Sequence, residues 1–314
     1  SSRKPGSYEQ TNAFDNSLFE ISYCFPEINI FSAVFGEKSR LMHSVTESYQ
    51  ENQAKYTKTE ILRIKGKRRK IVTYAHNRSG ELLRQYHEGV ASLLEWIYHP
   101  SDSVYSYVKK RGVRDCVTRH KHHSFFLKLD IHHFFESIRK IACVSEVYDS
   151  YFRCLPFGDF HYSLQFARFF GISRMEINNL LTPCFFQGKL PIGFTTSPIL
   201  SNLFMARFDQ DIIDNVDKDL VYTRYADDML FSSRTKEALN YAKHIVIGLL
   251  NEKPYQRLKL NEEKECSASL RHQGDSFKFL GILILSNGRG TNDFRIAKST
   301  LRTISLEMAD VVKK

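Results

Sequence analysis

Two acidic side chains stand next to each other in the segment Tyr225-Ala226-Asp227-Asp228. The apolar residues Leu220–Thr223 precede this segment and Met229–Phe231 follow it. β-branched and aromatic residues on both sides of a short polar turn predict a hairpin with both carboxylates at its tip. Because adjacent carboxylates repel each other, a divalent cation bound by their oxygens would stabilise the pair. A polar hairpin turn without a metal is the alternative, since aspartate is a common turn residue.

A third acid, Asp130, lies near the end of the apolar segment Phe125–Ile131, which is predicted to be a buried strand. An isolated aspartate at the end of a strand usually serves as a cap. Together with Asp227, however, Asp130 could hold two metal ions about 3.5–4 Å apart. One ion would then activate a hydroxyl group and the other would stabilise a departing phosphate, which is the chemistry of phosphoryl transfer.

The segment Leu190–Leu203 contains a glycine turn and clustered hydroxyl groups, and a helix is predicted to follow. Ser197 is the expected N-cap and Pro198 the first helical residue. The apolar residues of this helix recur at helical spacing and are Leu200, Leu203, Phe204, Phe208 and Ile212. This pattern by itself predicts only a well-capped helix with one buried face.

Periodicity and turn residues predict the elements that would position these groups. A basic β-hairpin is expected over residues 61–75, and a helix from Ser79 would bury one face as far as Ile97. The other predictions are helical structure within 140–185, a helix over Thr235–Leu250, a strand over Phe277–Leu285, and a helix from Phe294 that includes Ile296, Leu301 and Ile304.

Taken in order, these segments resemble the motifs of bacterial reverse transcriptases of the retron, group II intron and phage-defence branch. Asp130 with Phe134-Phe135 resembles the family's first catalytic motif, Leu190–Leu203 the second and Tyr222–Asp228 the third. The remaining similarities are Leu258–Lys264 with the fourth motif, Phe279–Ile282 with the hairpin that grips the primer end, Lys65–Ile71 with the basic fingers hairpin, and Val104–Gly112 with the next fingers motif. The resemblance therefore covers roughly residues 60–300.

The resemblance implies an α+β right-hand polymerase, in which helices back an antiparallel palm sheet beside fingers and a partial or small thumb. The expected domains are an unassigned N-terminal region over 1–60, fingers over 61–124, palm over 125–285 with fingers helices inserted at about 140–189, and the start of the thumb over 286–314. The implied reaction is RNA-directed addition of deoxynucleotides to a primer 3′ hydroxyl with two Mg2+ ions.

The resemblance also implies roles for individual residues. Catalysis is expected from Asp130, Asp227, Asp228 and Lys264, with Lys264 protonating the departing pyrophosphate. The expected metal ligands are Asp130, Ile131, Asp227 and Asp228. The expected nucleotide-binding residues are Lys65, Arg69, Phe135 and Gly193. The expected nucleic-acid-binding residues are Lys109, Lys110, Arg111, Tyr225, Leu280 and Gly281.

Phe135 bears on the choice of sugar. It follows Asp130 by five residues, where reverse transcriptases place an aromatic ring under the 2′ position of the sugar. RNA-dependent RNA polymerases carry an aspartate there, which accepts a hydrogen bond from the ribose hydroxyl. Phe135 therefore disfavours RNA synthesis, unless Phe134 and Phe135 are both core residues; alternation of side chains would instead allow one to be buried and the other to be the gate.

The chain departs from the family pattern at two places. Ile192 stands where the family usually has glutamine, and Tyr74-Ala75-His76 stands where it has a proline after the basic hairpin. The isoleucine removes an amide donor and acceptor. A template-independent or protein-primed defence polymerase therefore stays open, as residues 1–60 are also unassigned. A catalytically silent RNA-binding scaffold is a further alternative, which the presence of all three acids disfavours.

Charge and composition agree with a nucleic-acid enzyme. The formal net charge is +10 and the pI is about 9.2, which favours polyanionic partners. Five of the six residues from Lys65 to Lys70 are basic, and Lys109-Lys110-Arg111 form a second cluster. The expected partners are an RNA template, a DNA or RNA primer, deoxynucleoside triphosphates and a structured non-coding RNA of a bacterial antiphage defence system. A protein effector or an oligomer stays open.

The cysteines and histidines give no metal-site pattern. Six scattered cysteines without a Cys-x-x-Cys pair argue against a zinc ribbon and favour a reduced, cytoplasmic protein. No apolar run approaches about 18 residues, so no membrane partner is expected. Near the Asp130 strand lie His120, His122, His123, His132 and His133. We expect these side chains to be exposed or to face RNA.

Overall fold

The computed structural model describes residues 30–64, 67–153 and 173–302. The helices in this part of the chain are α1 Ile30–Phe35, α2 Ser39–Glu51, α3 Arg78–Ile97, α4 Val113–Thr118, α5 Phe134–Ser137, α6 Lys140–Arg153, α7 Arg174–Leu181, α8 Ser197–Asn215 and α9 Lys236–Asn251. The strands are β1 Thr57–Ile64, β2 Lys67–Tyr74, β3 Phe125–His132, β4 Val221–Tyr225, β5 Asp228–Ser233, β6 Lys259–Leu260, β7 Cys266–Ser269, β8 Ser276–Phe279, β9 Ile282–Ser286 and β10 Asn292–Ile296. Residues 298–302 are helical. None of the helices in these ranges is long and apolar enough to cross a bilayer.

The chain divides into two compact units that are each built from two segments. The first unit combines residues 1–99 with 143–199, and the second combines 100–142 with 200–314. The range 61–124, expected to form the fingers, is therefore shared between the units, with 100–124 grouped with the strand that carries Asp130. The domain boundaries expected from the sequence remain predictions.

In the first unit, the basic segment forms an antiparallel hairpin of β1 and β2 that is longer than expected. Its pairing runs from Thr57 opposite Tyr74 to Ile64 opposite Lys67. Helix α3 follows, and the side chain of Asn77 caps it by accepting a hydrogen bond from the Gly80 N–H at 2.8 Å. The expected start at Ser79 was therefore wrong, because an asparagine two residues earlier satisfies the free amide groups of the first turn.

In the second unit, a five-stranded antiparallel sheet has the strand order β4-β5-β3-β6, and β7 also pairs with β3. Strand β3 is buried along almost its whole length, which explains its nearly continuous apolar sequence. Helix α9 packs on β3 and β5 through its buried face, which consists of Leu239, Ala242, Val246 and Leu250. This arrangement is the expected antiparallel sheet backed by helices.

Helix α8 is buried more completely than a single apolar stripe predicts. The five apolar residues of the expected stripe are at most 2% exposed, but Ser201, Asn202 and Asp209 on other faces are buried as well. Ser197 lies within the helix, and its hydroxyl donates to the Pro191 carbonyl at 2.7 Å. The expectation that Ser197 is the N-cap was therefore wrong by one residue.

The C-terminal part of the described chain forms a three-stranded antiparallel sheet in the order β10-β9-β8. The expected single strand over Phe277–Leu285 is two strands joined at Leu280-Gly281. The expected start of a helix at Phe294 was wrong, since Asn292–Ile296 pairs with Ile282–Ser286. Helical structure begins at residue 298 and includes Leu301, as expected. The Asn287-Gly288 turn folds this segment onto the free edge of β9, and the ladder satisfies backbone groups that a short local helix would leave open. Ile304 lies outside the described residues.

Candidate active site

The hairpin of β4 and β5 has Ala226 and Asp227 at its turn, as expected. Ala226 adopts a left-handed conformation with φ of 56°, which lets the chain reverse between Tyr225 and Asp228. The Ile131 N–H donates to the Asp227 carbonyl at 3.1 Å, so the turn is tied to β3. The antiparallel pairing of β3 with β5 places Asp130 directly opposite Asp228. Three acidic residues from two separate parts of the chain therefore lie at the same end of the central strands.

The charge of Asp227 is unfavourable in this environment. Burial raises the pKa of Asp227 to about 6, and the neighbouring charges of Asp228 and Asp130 contribute in the same direction. A carboxylate with a raised pKa between two other acids is a position where a cation would relieve both the repulsion and the lost hydration.

Asp130 is 2% exposed and its carboxylate has two partners from the loop between β6 and β7. Asn261 Nδ2 donates to Oδ1 at 3.0 Å, and Lys264 Nζ donates to Oδ2 at 2.6 Å. Strands β6 and β7 pair with the same edge of β3, so the loop between them passes directly beside Asp130. Partial burial lowers the pKa of Lys264, but the hydrogen bond to Asp130 and the nearby acids raise it above the ordinary value overall.

Asp228 faces a different lysine. Lys128 Nζ, on β3, lies 2.8 Å from Asp228 Oδ1. This is a contact between opposite charges without hydrogen-bond geometry, so Oδ1 remains a buried oxygen without a hydrogen bond. Lys128 Nζ also lies 5.7 Å from the centre of the Phe279 ring, at the end of β8. Lys128 thus links the acidic turn to the hairpin that resembles the primer grip.

The residue types fit a divalent cation, although the carboxylates are not gathered around one point. Among the described residues, no three His, Cys, Asp or Glu side chains converge closely enough to hold a metal ion, and lysines contact both Asp130 and Asp228. The unhydrogen-bonded oxygen of Asp228 and the raised pKa of Asp227 are features that a hard cation with oxygen ligands would satisfy. The Ile131 side chain is buried, so only the main chain of this residue could contribute a ligand.

Phe134 and Phe135 occupy different environments. Phe134 is 3% exposed, whereas Phe135 is half-buried and its ring centre lies 6.4 Å from that of Tyr107. The two residues belong to the short helix α5. Their side chains point in different directions because of the rotation between successive helical residues, whereas we expected the alternation of a strand. The role of Phe135 in sugar selection remains a prediction.

The expected nucleic-acid-binding residues of the second unit differ in exposure. Lys109 and Lys110 are exposed. Arg111 points inward, because its guanidinium donates to the Ser101 and Val104 carbonyls and contacts Asp102. These contacts give Arg111 a structural role in the preceding loop, which its sequence position did not reveal.

The remaining residues of this group lie on two hairpins. Tyr225 and Leu280 are half-buried and pack against the apolar cluster around Phe126 and Phe277. Leu280 and Gly281 form the β8–β9 turn with φ of 46° and 84°. The φ of Gly281 is one that other residues rarely adopt, and a Cβ there would lie 2.8 Å from Thr300 Oγ1, so both the backbone and the packing favour glycine in this turn.

The expected nucleotide-binding residues other than Phe135 belong to the first unit. Arg69 is exposed on β2 opposite Leu62, and Lys65 lies outside the described residues. Gly193 has a φ of 119°, and a Cβ there would lie 2.5 Å from the Val72 carbonyl. The Val72 N–H donates to the Ile192 carbonyl at 2.8 Å. The main chain of Ile192, the residue that stands where the family usually has glutamine, is therefore hydrogen-bonded to β2.

Tyr74, the first residue of the segment Tyr74-Ala75-His76, contacts several residues of the same region. Its ring stacks on Phe194 with centres 5.6 Å apart and an interplanar angle of 5°. Its hydroxyl lies 2.8 Å from His87 Nδ1 and 3.1 Å from Thr195 Oγ1. Burial raises the pKa of Tyr74. The side chain therefore connects the end of β2 to the glycine turn before α8.

His120 does not fit our expectation of an exposed histidine. It is fully buried, and its ring nitrogens lie 2.6 Å from Ser232 Oγ and 2.8 Å from Thr223 Oγ1. Burial lowers the pKa of His120 to about 3, so the ring is neutral. Of the other four histidines, His123 is half-buried against Ser232, and the rest are exposed.

A buried ion pair also went unrecognised in the sequence. Arg224 in β4 and Asp209 in α8 are at most 1% exposed, and the Arg224 Nη2–Asp209 Oδ2 distance is 2.6 Å. Arg224 appears in the string that resembles the third motif, but nothing in that string identifies a partner fifteen residues upstream.

Residues 78–284 match the family described as reverse transcriptase (RNA-dependent DNA polymerase). The chain belongs to this family. Among curated proteins it is similar to the retron Ec73 reverse transcriptase of Escherichia coli, with 26% identity over 209 residues that cover 55% of this chain and 60% of the relative. The retron Ec86 reverse transcriptase of the same organism is 28% identical over 177 residues, covering 56% of this chain and 47% of the relative. The chain thus spans about half of the length of these relatives.

Solved structures show the same fold. Apo telomerase from Candida tropicalis has a TM-score of 0.52 and 12% identity, and the similarity covers 82% of this chain and 51% of that chain. This telomerase in complex with a fragment of telomeric RNA has a TM-score of 0.50 and 13% identity, covering 83% and 49%. Identity at this level shows the fold alone. The structural similarity, together with the family match and the antiparallel sheet, confirms the expected α+β right-hand polymerase fold.

Proposed function

We propose that the protein is an RNA-directed DNA polymerase that adds deoxynucleotides to a primer 3′ hydroxyl. The observation that carries this proposal is the strand register, which places Asp130 opposite Asp228 and beside the Asp227 turn in a chain of this family. The supporting electrostatics are the raised pKa of Asp227 and the buried Asp228 oxygen without a hydrogen bond.

In this proposal, Asp130, Asp227 and Asp228 would hold two Mg2+ ions, which would neutralise the negative charge that develops on the phosphate. Lys264 is hydrogen-bonded to Asp130 and carries a raised pKa, so it enters the reaction protonated and can supply a proton to the pyrophosphate. Phe135 is exposed enough to meet a sugar, and its apolar ring would exclude a 2′ hydroxyl. Exposed Lys109 and Lys110 would bind phosphates without reading bases.

The curated relatives are retron reverse transcriptases, which supports a finer proposal for the partners. The template would be a dedicated structured non-coding RNA, and the biological role would be antiphage defence in the bacterial cytoplasm. The basic side chains of this protein suit such an RNA, because their binding to phosphates releases counterions from the RNA.

The test is incorporation of labelled deoxynucleotides with Mg2+, with and without a supplied RNA template and primer. Replacing Asp227 and Asp228 together with alanine should abolish synthesis and leave RNA binding largely intact, because the basic side chains and not the acids contact phosphates. Asp293→Ala, at an exposed acid on β10, is the matched control and should retain activity.

The outcomes separate the alternative functions. Near-wild-type synthesis by the double variant would refute the polymerase site. Synthesis that does not depend on the template would favour the template-independent enzyme left open by Ile192, and a preference for ribonucleotides would favour an RNA polymerase. RNA binding by a wild type that makes no nucleic acid would favour a scaffold.

A further inference from the structure

The turn that carries Asp227 rests on a set of buried polar side chains in the second unit. Arg224 Nη1 donates to the Ala226 carbonyl at 3.1 Å, and Ser106 Oγ accepts from the Ala226 N–H at 2.7 Å. Both backbone polar groups of Ala226 are therefore held by side chains. Since a non-glycine residue with a φ of 56° is uncommon, these contacts stabilise a conformation that is intrinsically unfavourable.

Asp209 fixes the orientation of the Arg224 guanidinium. Arg224 Nε and Nη2 donate to Asp209 Oδ1 and Oδ2 at 2.8 and 2.6 Å, which is a bidentate pair. The Tyr222 hydroxyl donates to the same Oδ1 at 2.7 Å. With the outer edge of the guanidinium held in this way, Nη1 remains to contact the turn.

Asn202 connects the two supports of the turn. Its side-chain oxygen accepts from Arg224 Nη1 at 3.1 Å, and its Nδ2 donates to the Ser106 carbonyl at 2.9 Å. The backbone of Arg224 is also tied to the segment before Ser106, since the Arg224 N–H donates to the Ser103 carbonyl at 2.7 Å. A fully buried ion pair contributes little stability compared with apolar residues of the same size, so its geometry is the more informative property.

We infer that Arg224, oriented by Asp209, is a positioning residue that sets the direction of the Asp227 carboxylate through the Ala226 carbonyl. This inference rests on the proposed function, because it gives Asp227 the role of a metal ligand. Arg224 is fully buried and offers no surface that a substrate could contact. It acts as supporting residues do around metal sites, where substitution typically lowers metal affinity or activity 10- to 100-fold.

The test compares Arg224→Lys, Ser106→Ala and the wild type. Lysine keeps the charge next to Asp209, but a single ammonium cannot reproduce the guanidinium fork and contact the turn as well. Ser106→Ala removes the second support through a small change, and it carries the test if Arg224→Lys fails to fold. Arg207→Lys is the matched control, because Arg207 is exposed on α8 and lies 3.8 Å from Asp211.

Mn2+ affinity, measured by electron paramagnetic resonance without nucleotide, and steady-state kinetics in deoxynucleotide give independent readouts. We expect both variants to raise the Kd for Mn2+ and to lower kcat by 10- to 100-fold, with KM for nucleotide within about twofold. Arg207→Lys should match the wild type in all three quantities.

A folded variant whose Mn2+ Kd and kcat both stay within twofold of the wild type, with only its Tm lowered, would overturn the inference and leave the proposed function standing. A wild type that binds Mn2+ but makes no DNA would refute the proposed function. The Mn2+ affinities of the variants would then be the only test of the positioning role of Arg224. A wild type that binds no Mn2+ and makes no DNA would overturn both.

Discussion

Replacing Asp227 with asparagine should make the metal-free protein more stable. The pKa of this carboxyl rises from an ordinary 3.8 to about 6 because of burial and the charges of Asp228 and Asp130. Each pKa unit corresponds to 1.36 kcal/mol, so the cost of carrying this charge has an upper limit of about 3 kcal/mol. Asp227 is only half-buried and water screens part of the repulsion. We therefore expect Asp227→Asn to gain about 1–2 kcal/mol, or roughly 2–6 °C in Tm.

The pH dependence identifies the origin of this gain. A carboxyl with a raised folded-state pKa binds more protons when folded than when unfolded between pH 3.8 and about 6. The wild type therefore loses stability as the pH rises through this window, and asparagine does not. The Tm advantage of Asp227→Asn should be small near pH 4 and complete by pH 7 to 8.

Thermal unfolding in EDTA, across pH 4 to 8 and with Asp293→Asn as the control, measures this effect. Added Mg2+ should raise the Tm of the wild type more than that of the variant, because a ligand stabilises the state that binds it. A variant that is less stable than the wild type at pH 8, or a gain that is constant with pH, would refute the assignment of Asp227 as a half-buried charge that a cation would stabilise.

Four further predictions address the nucleotide and RNA contacts. Phe135→Val should increase ribonucleotide incorporation relative to deoxyribonucleotide in competition assays; an unchanged preference in an active variant would exclude Phe135 as the residue that selects the sugar. Charge reversal at exposed Lys110 should weaken binding of unrelated RNAs alike and reduce the slope of log affinity against log salt by about one, whereas an effect on one RNA sequence only would contradict a phosphate contact. Arg69→Ala should raise KM for nucleotide more than it weakens RNA binding, and the reverse result would exclude a triphosphate contact. Gly193→Ala should lower Tm and raise KM, because its Cβ would lie 2.5 Å from the Val72 carbonyl; wild-type values for both would contradict this close packing.

Much of the fold could be predicted from local sequence. The apolar run of β3, the short strands around the acidic turn and the stripe of α8 all formed where expected, because burial on both faces and helical periodicity leave clear patterns. The boundaries of α3 and α8 shifted by one or two residues, since the capping group is decided by the geometry of the turn. Phe294–Ile296 was mistaken for the start of a helix, because these residues form a strand only through their pairing with Ile282–Ile284 of β9.

The acids of the candidate site could be predicted from the sequence, because they occur in strings that resemble the motifs of one enzyme family. Their electrostatic state was decided by the tertiary structure. Asp130 is paired with Lys264, whereas Asp227 carries a raised pKa. This difference depends on burial and on distances between residues that are far apart in the chain. For the same reason, the buried pair of Arg224 and Asp209 is apparent only in the folded structure, where α8 and β4 are adjacent.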